Sequence, residues 1–220
     1  MGAQLRVYRG RIKSVKATKK ITKAMELIAS SRIVKAQQRV DASLPYTKAL
    51  VAAVTAAASN AAGAHPLTAP SGVRRRAAVC LITADRGLAG GYSTNAIKEA
   101  EGVNNYLREE NVVPVAYLVG RKGVSYYRFR DREIAGSWTG FTDQPTYEDA
   151  RAIAEALLEA FLKPVEEGGV DEIHLVYTEF VNMVVQRPVA KRLLPLEVEE
   201  KQADATTIAP PLYEFEPGPE

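Results

Sequence analysis

"CLITADRGLAGGYSTN", residues 80–95, runs from apolar residues into a glycine-rich loop and then into a helix-compatible stretch. With the three residues before it, the apolar run "AAVCLIT" (77–83) is continuous, the pattern of a strand covered on both faces. Strand, tight loop, helix is the opening of an α/β unit, and it is also the local shape of a phosphate cradle. A mononucleotide loop needs lysine and a hydroxyl directly after its last glycine. Here Gly90 and Gly91 are followed by Tyr92 and Ser93, and the next lysine is Lys98. A dinucleotide fingerprint needs three glycines in a different spacing from Gly87-Leu88-Ala89-Gly90-Gly91, and an acid at the end of the second strand, where Tyr117 to Gly120 stand. The loop therefore reads as a structural turn made by Asp85, Arg86, Gly87, Gly90 and Gly91, with Asp85 capping it and the glycines at positive φ.

Toward the C-terminus the alternation continues. Residues 94–109 suit a helix, "VVPVAYLVG" (112–120) a second buried strand, "RKGVSYYRFR" a short helix and "EIAGSWTGF" an extended segment. Thr146 with Asp149 three residues on has the form of a capping box. Ile153, Leu157, Phe161 and Val165 then make one apolar stripe, with Glu148, Arg151, Glu155 and Glu159 pointing away. "DEIHLVYTEF" (171–180) and "VQRPVAKRLLPLEV" (185–198) are joined closely enough to require a hairpin. The order predicts a Rossmann-like, mostly parallel sheet with an antiparallel edge strand, over residues 77–198. From Glu199 the chain is acidic and proline-rich.

Toward the N-terminus, "GAHPLTAPSGVRRR" (63–76) has the composition of a linker. Residues 1–62 read as one long helix: no proline precedes Pro45, and no glycine lies between Gly10 and Gly63. Apolar residues recur from Leu5 through Ile12, Val15, Ile21, Met25 and Ile28 to Val54 at spacings that suit packing on another helix. Pro45 predicts a kink or short break. At 1.5 Å per residue such a helix reaches roughly 80 Å, too long for the α/β domain to absorb, so it is expected to project and to need a partner helix. Charge is segregated as well. The first 40 residues hold 11 basic groups and one acid, Glu26, while the remaining 180 carry a net charge of −7. The helix is built to face an anionic partner.

Several chemistries are disfavoured. The single cysteine, Cys80, gives no disulfide framework, and no CxxC offers a metal or redox pair. No run of about 18 apolar residues is present, and the charged N-terminus has no apolar signal-peptide core. His65 lies in an "HPL" turn and His174 alternates with Ile173 and Leu175, so both read as structural. No GxSxG or HExxH is present, and the abundant glutamates read as lying on solvated helix faces or in the tail. No catalytic, cofactor-binding or metal-binding residue is assigned. Eleven cations could grip nucleic acid, but Tyr8 alone offers stacking and no recognition motif is present. A membrane-surface helix would want tryptophan or phenylalanine on its apolar face.

At "KKITKAMELIASSRIVKAQ" (19–37) the chain resembles the gamma subunits of F-type ATP synthases. "RIKSV" (11–15), "PY" (45–46), "HPL" (65–67), "ADRGLAGGYSTN", "GRKG" (120–123) and "LLPL" (193–196) match in the family's order, over essentially the whole chain. The resemblance implies a non-catalytic central-stalk rotor of a proton-translocating ATP synthase. It would carry torque from the membrane c ring to the hexamer of alpha and beta subunits, with epsilon beside it, peripheral to the cytoplasmic face of a bacterial cell membrane. It implies no cofactor, no nucleic-acid partner and no membrane insertion. It places Lys20, Lys23 and Met25 against the acidic lever loops of beta. Tyr213, Phe215 and Glu216, within "LYEFEP" (212–217), fall at the contact with epsilon and the c ring. The family's second shaft helix has no counterpart before Glu220, which predicts a shortened chain, and the two-cysteine regulatory insertion of chloroplast relatives has none either. The alternatives are an α/β nucleotide-binding protein with a basic helical arm, for which nucleotide would bind tightly at Gly87–Gly91, and a basic-helix nucleic-acid binder, for which DNA binding would fall steeply with salt.

Overall fold

The computed structural model describes residues 2–60, 67–68 and 72–196, in two compact units divided after Asn60. Unit one is a single helix, α1, Gly2–Asn60. It runs through Pro45 without interruption, so the expected break is absent. Proline removes one backbone donor, and good helix formers on both sides, including Ala42, Lys48, Ala49 and Leu50, keep the remaining ladder intact.

The second unit contains β1 (Arg76–Ile82), α2 (Tyr92–Glu109), β2 (Val113–Val119), α3 (Arg121–Phe129), β3 (Gly136–Trp138), α4 (Tyr147–Leu162), β4 (Glu172–Phe180) and β5 (Gln186–Leu194). The strands form one sheet in the order β3-β2-β1-β4-β5, parallel except for the antiparallel β4–β5 pair at one edge. β1 is central, which explains its unbroken apolar run. Ala77, Val79 and Leu81 pack with Ala96, Ile97, Ala100 and Leu107 of α2 and Val124 and Tyr127 of α3. Ala78 and Cys80 face the other way, toward Leu157 of α4 with Val170 and Ile173. Burial pushes the Cys80 thiol up to about 12, so it is a small core residue and not a nucleophile.

From β1 the chain winds outward through β2 to β3, then α4 returns it to β4 on the other side of β1. That reversal puts the residues following β1 at the switch point where open α/β sheets usually bind ligands. α4 starts at a reciprocal cap: Asp149 N donates to Thr146 Oγ1 at 3.4 Å and Thr146 N donates to Asp149 Oδ2 at 2.8 Å. Thr146→Ala removes one half of this box and should cost about 1 kcal/mol. Urea unfolding of the two proteins measures it, and an unchanged midpoint would show that the cap contributes nothing.

Candidate functional site

Three places carry chemistry that the core does not use. The first is the surface of α1. Its large apolar residues stay exposed, among them Leu5, Ile12, Val15, Ile21, Ile28, Val40 and Leu50, with Met25 at 44%. Beside them Arg6, Arg9, Lys13, Lys16, Lys20 and Lys23 follow one another at alternating steps of three and four, the spacing that keeps side chains on one helix face. The stripe is about 26 Å long at 1.5 Å per residue. Counting charges in the first 40 residues detects the excess of cations but not this alignment. Placing the positions on a helical wheel would have found it. Lys23 pairs with Glu26 at 3.0 Å, both well exposed, a contact of small energetic weight. Met25 lies within the apolar seam, one turn from Ile21 and Ile28, while Lys20 and Lys23 lie toward the other side of the helix.

The second place is the turn after β1. Asp85 is buried, and its carboxylate accepts from Arg121 N (3.0 Å), Gly140 N (2.8 Å), Thr142 N (3.0 Å) and Thr142 Oγ1 (2.9 Å). Burial alone would raise its pKa. The hydrogen bonds from Thr142, Arg121 and Gly140 together outweigh this and hold the carboxyl below its ordinary value. Asp85 therefore joins three loops at the switch point, and it fills the N-terminus of α3 with the protein's own anion. Arg86 reaches Asp143 at 2.8 Å across the same loops. The expectation that the glycines of this turn adopt positive φ holds for Gly90 (φ 56) and fails for Gly91 (φ −79); Leu88, a non-glycine, takes the other left-handed position (φ 63). Gly87 is not among the positive-φ glycines either.

The third place is at the opposite end of the strands, where β1 and β4 begin, and the sequence reading missed it. Glu172, to which the sequence assigns no role, is only 2% exposed. Arg74 lies 3.3 Å from its Oε1, Arg192 3.7 Å from the same oxygen, and His174 Nε2 3.0 Å from Oε2. Asp171, also buried, accepts from the backbone N–H of Arg75 and of Arg76. The signal available in "DEIHLVY" was alternation. Glu172, His174 and Val176 share one face of the strand, and a carboxylate two residues from a histidine on a buried strand wants a charged partner.

Tyr213, Phe215 and Glu216 lie outside the described residues. Among the described residues no cluster of histidine, cysteine and carboxylates is arranged to hold a metal ion, and no helix is long and apolar enough to cross a membrane.

A family model described as ATP synthase matches residues 4–220. The gamma chain of the ATP synthase of Acidothermus cellulolyticus is 56% identical over 217 residues, covering 99% of this chain and 72% of that one. The chain belongs to the ATP synthase gamma-chain family. The Streptomyces avermitilis gamma chain is 53% identical over 222 residues, covering all of this chain and 73% of its own length. Among solved structures, a chain of the Tetrahymena thermophila mitochondrial ATP synthase central stalk and c ring superimposes with a TM-score of 0.57 at 22% identity, over 80% of this chain and 72% of that one. A rotor chain of the Euglena gracilis mitochondrial ATP synthase gives 0.58 at 18% identity, over 88% of this chain and 64% of that one. At these identities the superpositions speak for the gamma-chain fold: a long N-terminal helix followed by the mostly parallel five-stranded sheet.

Proposed function

We propose that this chain is a central-stalk rotor subunit of ATP synthase, a non-catalytic member of the complex that carries torque between the c ring and the hexamer of alpha and beta subunits. The reading rests chiefly on α1. A 59-residue helix that displays an apolar seam along its length and a cationic stripe from Arg6 to Lys23 is suited to pack on a second helix and to turn against acidic surfaces. A further contact supports it. Leu196 N donates to Leu67 O at 2.7 Å, so the segment arriving in the α/β unit and the segment leaving β5 meet side by side. Epsilon and the polar loops of the c ring are the partners assigned to the α/β unit, with Tyr213, Phe215 and Glu216 at that contact. The complex sits on the cytoplasmic face of the cell membrane with this subunit peripheral to it.

On α1, Lys20, Lys23 and Met25 are assigned to the acidic lever loops of beta. Methionine there is neutral and flexible, so it slides along the levers without locking to them. Met25→Lys adds a cation to the apolar face of the same helical turns as Lys20 and Lys23 and should form an ion pair with the levers that persists between rotational steps. The expected result is fewer protons pumped per ATP hydrolysed in membranes carrying the complex. Unchanged pumping would remove Met25 from the torque surface. The rotor reading itself is tested by assembling the chain with alpha, beta, epsilon and the c ring, fixing the hexamer, and following a bead attached to the α/β unit during ATP hydrolysis. Stepwise rotation is expected, and a chain that fails to enter the complex would end the proposal.

A further inference from the structure

The basic run Arg74-Arg75-Arg76 has the composition of a linker, but its three guanidiniums go to three different parts of the α/β unit. Arg74 reaches Glu110 just past α2 at 3.1 Å and buried Glu172 on β4 at 3.3 Å. Arg75 pairs with Glu166, in the short turn after α4, at 2.8 Å. Arg76 Nε donates to Gly169 O at 3.1 Å. The backbone of the same residues is held as firmly. Asp171 Oδ2 accepts from Arg75 N at 2.7 Å and Arg76 N at 3.0 Å, Asp171 N donates to Arg76 O at 2.8 Å, and Val113 N donates to Arg75 O at 2.8 Å. A flexible linker needs none of this. A segment under load does, because a force arriving at one strand end spreads only through bonds to neighbouring rigid elements.

We infer that Arg74, Arg75 and Arg76 form a torque anchor, the point at which load carried along the chain from α1 enters the α/β unit and is shared among α2, the turn after α4, and β4. The inference rests on the rotor reading and adds to it a set of positioning residues. Arg74 and Arg75 are the informative members. Both are partly exposed, and most of their ion pairs lie in solvent, where such pairs contribute little to equilibrium stability. The exception, Arg74 on buried Glu172, leaves that carboxylate with Arg192 and His174 when Arg74 is replaced, so the mechanical role stays separable from folding.

The test uses the assembled complex with the hexamer fixed and a bead on the α/β unit. The double variant Arg74→Gln/Arg75→Gln is compared with Arg128→Gln/Arg130→Gln, which removes the same charge from arginines with no carboxylate within ion-pairing distance among the described residues. Three of the four side-chain links of the run are lost in the first variant. Its torsional stiffness, read from the angular spread of the bead during a dwell, should fall at least about twofold, with protons pumped per ATP reduced and the thermal midpoint within a few degrees of wild type. The control should keep wild-type stiffness. Restoring one link with reversed charges, Arg75→Glu/Glu166→Arg, should recover stiffness lost in Arg75→Glu. Rotation of the wild-type complex with unchanged stiffness in Arg74→Gln/Arg75→Gln overturns the anchor alone. A wild-type complex that does not rotate overturns the rotor reading and the anchor together.

Discussion

Glu172→Ala should destabilise the α/β unit by about 3–5 kcal/mol, the cost of breaking a buried ion cluster by removing its shared member. The carboxylate is 2% exposed and serves Arg74, His174 and Arg192 together. Alanine would leave a cavity bounded by three nitrogenous groups that had one acceptor in common. Arg74 keeps Glu110 and stays partly solvated, which places the loss toward the lower end of the range. Glu172→Gln fills the same space and retains an acceptor oxygen but loses the charge, so it should fall between wild type and alanine. Urea unfolding followed by circular dichroism orders the three. Should alanine match wild type within about 0.5 kcal/mol, the ion pairs only offset the cost of burying the Glu172 carboxylate and the cluster adds no net stability.

The contrast between Glu172 and β1 shows what a sequence makes legible here. "AAVCLIT" has the pattern of a strand covered twice, because seven consecutive small or apolar residues leave no face for water. The helix of Thr146 to Leu162 is equally plain, since cap, stripe and polar face agree. Whether a charged residue is buried is decided by residues distant in the chain. Glu172 depends on Arg74, 98 positions away, and the arginine run looked like a linker because its acceptors are scattered from Glu110 to Glu172. The candidate working surface was legible in part. The charge excess of α1 stands in the composition, whereas its alignment into a stripe depends on helical phase, and the assignment of Lys20, Lys23 and Met25 came from family resemblance. Backbone signs were the least legible. The left-handed positions of the glycine loop fell to Leu88 and Gly90 because Asp85 fixes the surrounding loops, and that constraint comes from Gly140 and Thr142.

Asp85→Ala should be the second large loss, about 3–4 kcal/mol, because it orphans the N–H groups of Arg121, Gly140 and Thr142 and the Thr142 hydroxyl in one step. Asp85→Asn should recover part of it. With its oxygen in the place of Oδ2, which takes Gly140 N, Thr142 N and Thr142 Oγ1, the amide keeps those acceptor contacts without the charge, and its NH2 group faces the N–H of Arg121. The charge gives the prediction a pH signature. A carboxyl whose folded pKa lies below its unfolded value of about 3.9 stabilises fully above that value and loses the contribution as pH falls toward the folded pKa. The stability difference between wild type and Asp85→Asn should therefore be flat from neutral pH to about pH 5 and shrink below about pH 4. A difference that stays constant into acid would mean that the carboxylate's charge is not what holds the loops. The position of the residue gives the outcome a wider meaning. Asp85 occupies the switch point where a sheet of this kind would hold a ligand, and it satisfies with a side chain the donors a bound anion would otherwise take. If Asp85→Ala, once folded, gains affinity for inorganic phosphate, the turn is a ligand cradle closed by its own carboxylate. If it gains none, the loop's geometry is suited only to joining three loops of a unit that must stay rigid under load.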